Sequence, residues 1–432
     1  MLVYYVELAA RSLRRTPVVT AFMVLAVGLG IGASMTMLTL VHVMQRDPVP
    51  GHSSELFYPQ VEPRSATART KDAEPPSQLT WIDATNLMRS RPDIEQALMV
   101  GGKVAVRPPQ GQGMAFYAQA RYTSGAFFHL FSVPFRHGGA WSREDDDMRA
   151  PVAVISRTLA DRLFGDADPV GRSLRLEDTS LRIVGVMDTW QPSVQFYDLA
   201  PGGYRHADEV FVPLGTARQR ALPTEGSIAC WGSPDLDHLE TTTCTWTQLW
   251  VRLRDAGERR DYLDFLRRYS LEQKAAGRFE REPNVRLRNL PEWLAYNRVV
   301  PGDVRLQTLL ALGFLMVCLV NTVTLMLVRY QRRREEYGVR RALGAPRRAI
   351  FAQLIVESGL VGACGGAAGI LLAVAGLWLV RSQPADYAHL ASLDVGLLIA
   401  TPLAATVLTI LAGVFPAWRA CTIAPAHVLK LQ

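Results

Sequence analysis

Four stretches of the chain break the usual alternation of polar and apolar positions. Residues 18–45 run 28 positions without a formal charge, 306–328 run 23, and 395–418 run 24. The fourth, 349–380, runs 32 positions interrupted only by Glu357. Crossing about 30 Å of hydrocarbon takes roughly 20 helical residues, so each stretch predicts a membrane-spanning helix. The first is preceded by Arg11, Arg14 and Arg15 but is too long for the apolar part of a secretory signal. It reads as a retained span, and its roughly 42 Å of helix leaves an excess that can stand outside the membrane as a stalk.

Between the first two spans the periodicity is that of an α+β domain. Residues 56–61, 97–106, 248–253 and 284–290 read as strands, and 80–90 and 258–274 as amphipathic helices. Two β-α-β units thus bracket the region. Between them lie expected short strands at 152–156, 173–176, 181–187 and 209–213, with a helix at 157–164. The expected fold is four transmembrane helices plus an α+β domain with two β-α-β halves, 46–106 and 247–305, and a β-rich insertion, 107–246.

Charge orients this plan. The segments 1–17, 329–348 and 419–432 carry thirteen Lys and Arg, whereas 381–394 carries only Arg381. Basic residues stay on the cytoplasmic side, so both termini and the 329–348 loop are expected inside, and 46–305 and 381–394 outside. Residues 46–305 hold 33 basic and 34 acidic side chains, so the net charge of +7 belongs to the membrane part and is a topology signal. No basic stripe interleaved with aromatics suggests nucleic acid. A composition of 49% hydrophobic residues with nine Trp excludes general disorder, and a mean hydropathy of +0.07 fits a mixed chain.

Candidate chemistry is sparse. There is no phosphate-binding G-x-x-x-x-G-K-[ST] motif, and Gly28-Leu29-Gly30-Ile31-Gly32 lies within a span rather than after a strand. Gly28 with Gly32, Gly362 with Gly366 and Gly365 with Gly369 stand four apart, where small residues let helices approach closely. His129 and His137 lack partners at metal-site spacing, so no metal site is expected. Asp145, Asp146 and Asp147 read as a solvated turn. Cys230 and Cys244 are the only cysteines in the exported domain, and an oxidising compartment favours joining them. Glu357 is the one acid inside a span. It lies about two turns, or roughly 12 Å, from Ala349, so two roles stand open: anchoring to basic groups at the cytoplasmic face, or transport and coupling. Carriers driven by protons or ions need ionisable groups at mid-depth, and the spans otherwise hold only His42, near an end.

The loop Arg334-Glu335-Glu336-Tyr337-Gly338-Val339-Arg340-Arg341-Ala342-Leu343-Gly344-Ala345-Pro346 predicts a short helix over 336–345 between Gly/Pro breaks. Its apolar stripe is Val339, Ala342 and Leu343. The segment resembles the E-I-G-I-R-x-A-L-G-A signature of MacB-type and FtsX-like ABC transporter permeases. Glu336, Gly338, Arg340, Ala342, Leu343, Gly344 and Ala345 match, and Tyr337 stands where an aliphatic residue is usual. Residues 8–17 resemble the family's amphipathic leading helix, and 152–171 with Ile183-Val184-Gly185-Val186 its extracytoplasmic domain. Pro416-Ala417-Trp418-Arg419-Ala420 and Pro425 resemble its exit from the last span.

The resemblance implies a permease in a bacterial inner membrane, bathed in lipid, with its large domain in the periplasm. It implies no enzyme activity and no bound cofactor of its own, with ATP and Mg at a separate ABC ATPase dimer. The 336–345 segment, including Arg341, would be the coupling helix that seats in that ATPase. A second permease, identical or related, would complete a dimer. The implied activity is mechanotransmission for export or efflux, with a periplasmic adaptor and an outer-membrane duct as further partners. Release of lipoproteins, or ATP-gated signalling to a periplasmic enzyme, are the alternatives the family offers.

Overall fold

The computed structural model describes residues 2–68, 74–109, 113–190, 192, 194–199, 207–231, 235–300, 302–382 and 395–422, excepting the side chains of 2, 236, 237, 334, 342, 395, 397, 398, 420 and 422. Most of the 381–394 connection and of the 419–432 tail, and the side chain of Ala342, therefore lie outside the described residues. The chain divides into a helical unit, Met1–Arg46 with Val300–Gln432, and an α/β unit, Asp47–Val299.

Among the described residues of the helical unit a leading helix, Leu2–Arg14, precedes four helices long and apolar enough to cross a membrane. The spans are Pro17–Met44, Gly302–Arg332, Arg347–Arg381 and Val395–Thr422. Pro17 opens the first span at a position where its missing N–H costs nothing. The third span is central, packed along the first and the fourth, while the second packs on the first. Glycine makes this closeness possible, and the third span uses two stripes. A Cβ on Gly365 would lie 2.6 Å from Val27 of the first span, and one on Gly366 2.7 Å from Pro402 of the fourth. Gly369 likewise faces Ile31, and Gly362 faces Thr406. Gly28 and Gly32 of the first span meet the third at Ala368 and Leu372. Pairs read from spacing alone are thus divided between two partners.

The α/β unit carries eleven strands among its described residues. They are β1 (Leu56–Gln60), β2 (Leu79–Thr80), β3 (Gln96–Arg107), β4 (Phe116–Thr123), β5 (Phe135–Gly138), β6 (Val152–Ile155), β7 (Ser173–Leu176), β8 (Thr179–Met187), β9 (Val210–Pro213), β10 (Thr245–Arg252) and β11 (Arg286–Asn289). One path runs β11-β1-β10-β3-β4-β9-β6-β8-β5. The two expected β-α-β units, β1 to β3 through helix Trp81–Ser90 and β10 to β11 through helix Ala256–Ala275, do not sit as separate halves. Strand β10 lies between β1 and β3, and β1 lies between β10 and β11, all in antiparallel contact. They are interlocked split β-α-β units.

No seam divides the insertion from this layer. The twelve-residue β3 pairs with β10 at its start and with β4 and β7 further along. Strands β3, β4, β9, β6, β8 and β7 then close on one another in a ring, which leaves these strands few free edges. Gly102 is required inside β3 because the Tyr122 ring of β4 lies across it, 2.4 Å from where a Cβ would be.

Alternation explains why the central strands bury both faces. Phe57, Leu98, Leu249 and Val251 point to the cluster under the two helices, with Tyr262, Leu266 and Tyr269. Leu56, Tyr58, Ala97, Met99 and Trp250 point to an aromatic cluster on the other face, where Tyr58 stacks on Trp293 at 4.2 Å between ring centres. A third cluster of aliphatic side chains fills the ring. At its margin Arg121 of β4 is fully buried, donating to Asp208 and Asp198 at 2.8 Å each, while Gln248 donates to Asp198 at 3.1 Å. Cys230 and Cys244 are joined by a disulfide that closes the turn before β10.

The acidic run lies at the surface as its composition suggests, with Asp147 exposed, but it is neither a plain turn nor solvated throughout. Arg143–Asp147 is a short helix with a capping box at Ser142, and Asp146 is turned inward. It accepts from the Gly125 amide and the Trp141 indole, both at 2.7 Å. Burial pushes its carboxyl from the ordinary 3.8 up to about 6, against those two hydrogen bonds.

Candidate functional site

The loop between the second and third spans folds as a helix, Arg334–Ala342, separated from the end of the second span by Arg333 alone. It begins two residues before the expected segment and stops before Leu343. Glu335 and Glu336 in its first turn and Arg340 and Arg341 in its last suit the helix dipole. The stop is a Schellman motif: the Ala345 amide donates to the Arg340 carbonyl at 3.0 Å and the Gly344 amide to the Arg341 carbonyl at 3.1 Å. Gly344 takes φ +97°, a conformation that disfavours side chains, and a Cβ there would meet nothing within 4 Å. The glycine serves the turn, and the open space beside it leaves its backbone accessible.

The two sides of this helix differ sharply. Tyr337 is buried among Met23, Met326, Tyr330, Ile350 and Leu354, which explains why an aromatic residue is accommodated where the signature has an aliphatic one. On the other side Val339 is 57% exposed and Leu343 83% exposed. Polar links set the helix's attitude. Arg333 donates to Glu336 at 3.0 and 2.8 Å, and Arg340 donates to Glu336 at 2.8 Å and to Gln353 of the third span at 3.1 Å. Arg340 is therefore engaged inside the chain. Burial pushes the Glu336 carboxyl up, but the Arg333 hydrogen bonds and the Arg333 and Arg340 charges outweigh it and hold the group below the usual carboxylate range.

Beneath the helix lies Glu357, 1% exposed. Its Oε1 pairs with Arg329 of the second span, accepts from Ser12 of the leading helix, and lies 3.8 Å from Arg333. The Ser12 hydroxyl in turn accepts from Arg329 at 3.0 Å and from Arg333. The basic groups that Glu357 reaches are therefore these two arginines. Sequence reasoning missed Ser12, Arg329 and Gln353 as members. Gln353, four residues before Glu357 and on the same helical face, left a usable signal. Ser12 left none, because its partner is 345 residues away.

Residues 20–261 match the family model of the MacB-like periplasmic core domain, more than half of the chain, and 308–425 match that of the FtsX-like permease C-terminal domain. The chain belongs to the MacB-type, FtsX-like ABC transporter permeases. Among similar proteins, the macrolide export ATP-binding/permease protein MacB of Marinobacter nauticus is 25% identical, over 98% of this chain and 60% of that one. The pyoverdine export ATP-binding/permease protein PvdT of Pseudomonas syringae pv. tomato is 23% identical, over 96% of this chain and 57% of that one. The permease thus spans between 57% and 60% of the length of these relatives. The crystal structure of the periplasmic region of MacB from Actinobacillus actinomycetemcomitans aligns with a TM-score of 0.36 at 11% identity, covering 60% of this chain and 99% of that one. The permease is a multi-pass membrane protein with an extracytoplasmic α/β domain.

Proposed function

We propose that this permease couples ATP hydrolysis by an ABC ATPase dimer, which holds the ATP and Mg, to export across a bacterial inner membrane. The observation that carries the reading is the helix Arg334–Ala342, held by Tyr337, Glu336 and Arg340 while Val339 and Leu343 stand exposed beside it. An apolar pair on a rigid, positively flanked support suits a groove on a partner. The ATPase seats there, and its closure passes along the second and first spans to the α/β domain in the periplasm, which they join through short connections. The thirteen-to-one basic count supports this orientation. The relatives' names favour export over lipoprotein release or signalling. A second permease completes the dimer, and a periplasmic adaptor and outer-membrane duct carry the cargo onward.

The test is co-purification of the tagged full chain from its native membranes in mild detergent, with quantification of the bound ATPase. Burying a leucine is worth roughly 1.5–3 kcal/mol, so Leu343→Asp weakens association by roughly tenfold or more. A charge change at the exposed Arg332 leaves it unchanged. Leu343→Asp protein that retains its ATPase at wild-type affinity overturns the reading.

A further inference from the structure

The loop helix meets the second span through a single residue. Arg333, at φ −106° and ψ 16°, lies off helical geometry, so the two helices are not one continuous rod and can pivot there. Side chains close that pivot in a circuit. Glu357 of the third span holds Arg329 of the second span and Ser12 of the leading helix, and Ser12 holds Arg333. Arg333 holds Glu336 of the loop helix, Glu336 holds Arg340, and Arg340 returns to Gln353, one turn before Glu357. Four elements are bound through two carboxylates, and the deeper one is the acid that interrupts the apolar run 349–380.

We propose that Glu357 is a positioning residue that locks the loop helix, the leading helix and the second span into one body. Displacement of the loop helix then reaches the second span without being lost at Arg333. The inference rests on the docking reading above for the source of that displacement. Its physical ground is that buried ion pairs contribute little net stability but are well suited to specifying one arrangement among several. Nothing else in the described contacts of Arg333 spans all three elements: the apolar cluster around Tyr337 resists separation of the helices, whereas charged hydrogen bonds fix their angle.

The experiment uses the full chain with its co-purified ATPase in nanodiscs. Cys318, Cys364 and Cys421 are replaced by serine, and spin labels are placed at Glu335 on the loop helix and at the exposed Val320 in the second span. The unaltered circuit yields one narrow inter-label distance, with and without ATP and vanadate. Glu357→Gln widens the distribution by roughly twofold or more while ATPase association stays near wild type. Glu336→Gln, at the half-buried end of the circuit where folding is less at risk, widens it in the same direction. The double variant Arg329→Gln with Glu357→Gln strands no charge, and the lock requires that it stay wide.

A narrow distribution in both single variants overturns the inference. So does recovery of the narrow distribution in the double variant, which would reduce Glu357 to a neutraliser of Arg329. Leu343→Asp separates the two readings: it weakens association without widening the distance. Retained association in that variant sinks the docking reading, whereas the label widths still decide the lock.

Discussion

Each unit of the permease buries an arginine against carboxylate, two acids for Arg121 and one for Arg329, and the two clusters do different things with the same chemistry. Arg121 sits on β4, which a ladder to β3 and a parallel pairing to β9 already hold in place. Its pairs with Asp198 and Asp208 therefore add a condition to a structure that the backbone has otherwise determined. Glu357 joins helices that share no backbone hydrogen bonds, so side chains alone decide their relative angle. An ionic cluster inside a sheet governs stability, whereas one between helices governs geometry.

The largest expected effect breaks the sheet cluster. Arg121→Gln leaves two buried carboxylates without a cation, which costs about 3–5 kcal/mol, seen as a lowered unfolding midpoint by tryptophan fluorescence of the full chain. The matching change, Arg329→Gln, costs less, because Arg333 already lies 3.8 Å from Glu357. Equal losses would erase the distinction.

Next comes the covalent tie. Replacing Cys230 and Cys244 by serine opens a loop with a sequence separation of 14, worth roughly 3 kcal/mol in the chain-entropy model. The loss is expected in the α/β unit, with the helical unit unaffected, and differential scanning of the two transitions reads it. Gly366→Leu forces a side chain against Pro402 and Ala405 and costs the helical unit about 1–3 kcal/mol by overpacking. Its measure is detergent-resistant melting, and an unchanged melting profile would show that the third and fourth spans are not held by this stripe.

The smallest effect concerns pH. Asp146 is a half-buried carboxylate with neutral partners, in contrast to the fully buried and charge-paired Asp198 and Asp208. Its folded value near 6 exceeds the ordinary 3.8, so the folded state holds the proton more tightly. Its contribution is fully present below the ordinary value and is lost as pH rises through about 6, so acidifying from roughly pH 7 to pH 5 stabilises the α/β unit. Asp146→Asn flattens that slope, and midpoints across the pH range check it.

The sequence by itself determined the features that a few neighbouring residues enforce. Charge is excluded from hydrocarbon, so four uncharged runs mark four spans, and a lone Glu357 stands out against them. Turn chemistry at Gly344 and Pro346 and the Arg-rich loop announce the short helix between the spans, and periodicity marks the β-α-β units. Only the tertiary structure decided that β10 enters between β1 and β3, since two β-α-β units side by side and two interlocked ones have the same periodicity. It alone turned Asp146 inward, because a run of three aspartates has one composition whether solvated or capped against an indole. It alone brought Ser12 and Arg329 to Glu357 and Arg121 to Asp208: a helical turn or a strand pair constrains residues a few positions apart, whereas these partners meet only after distant segments have packed.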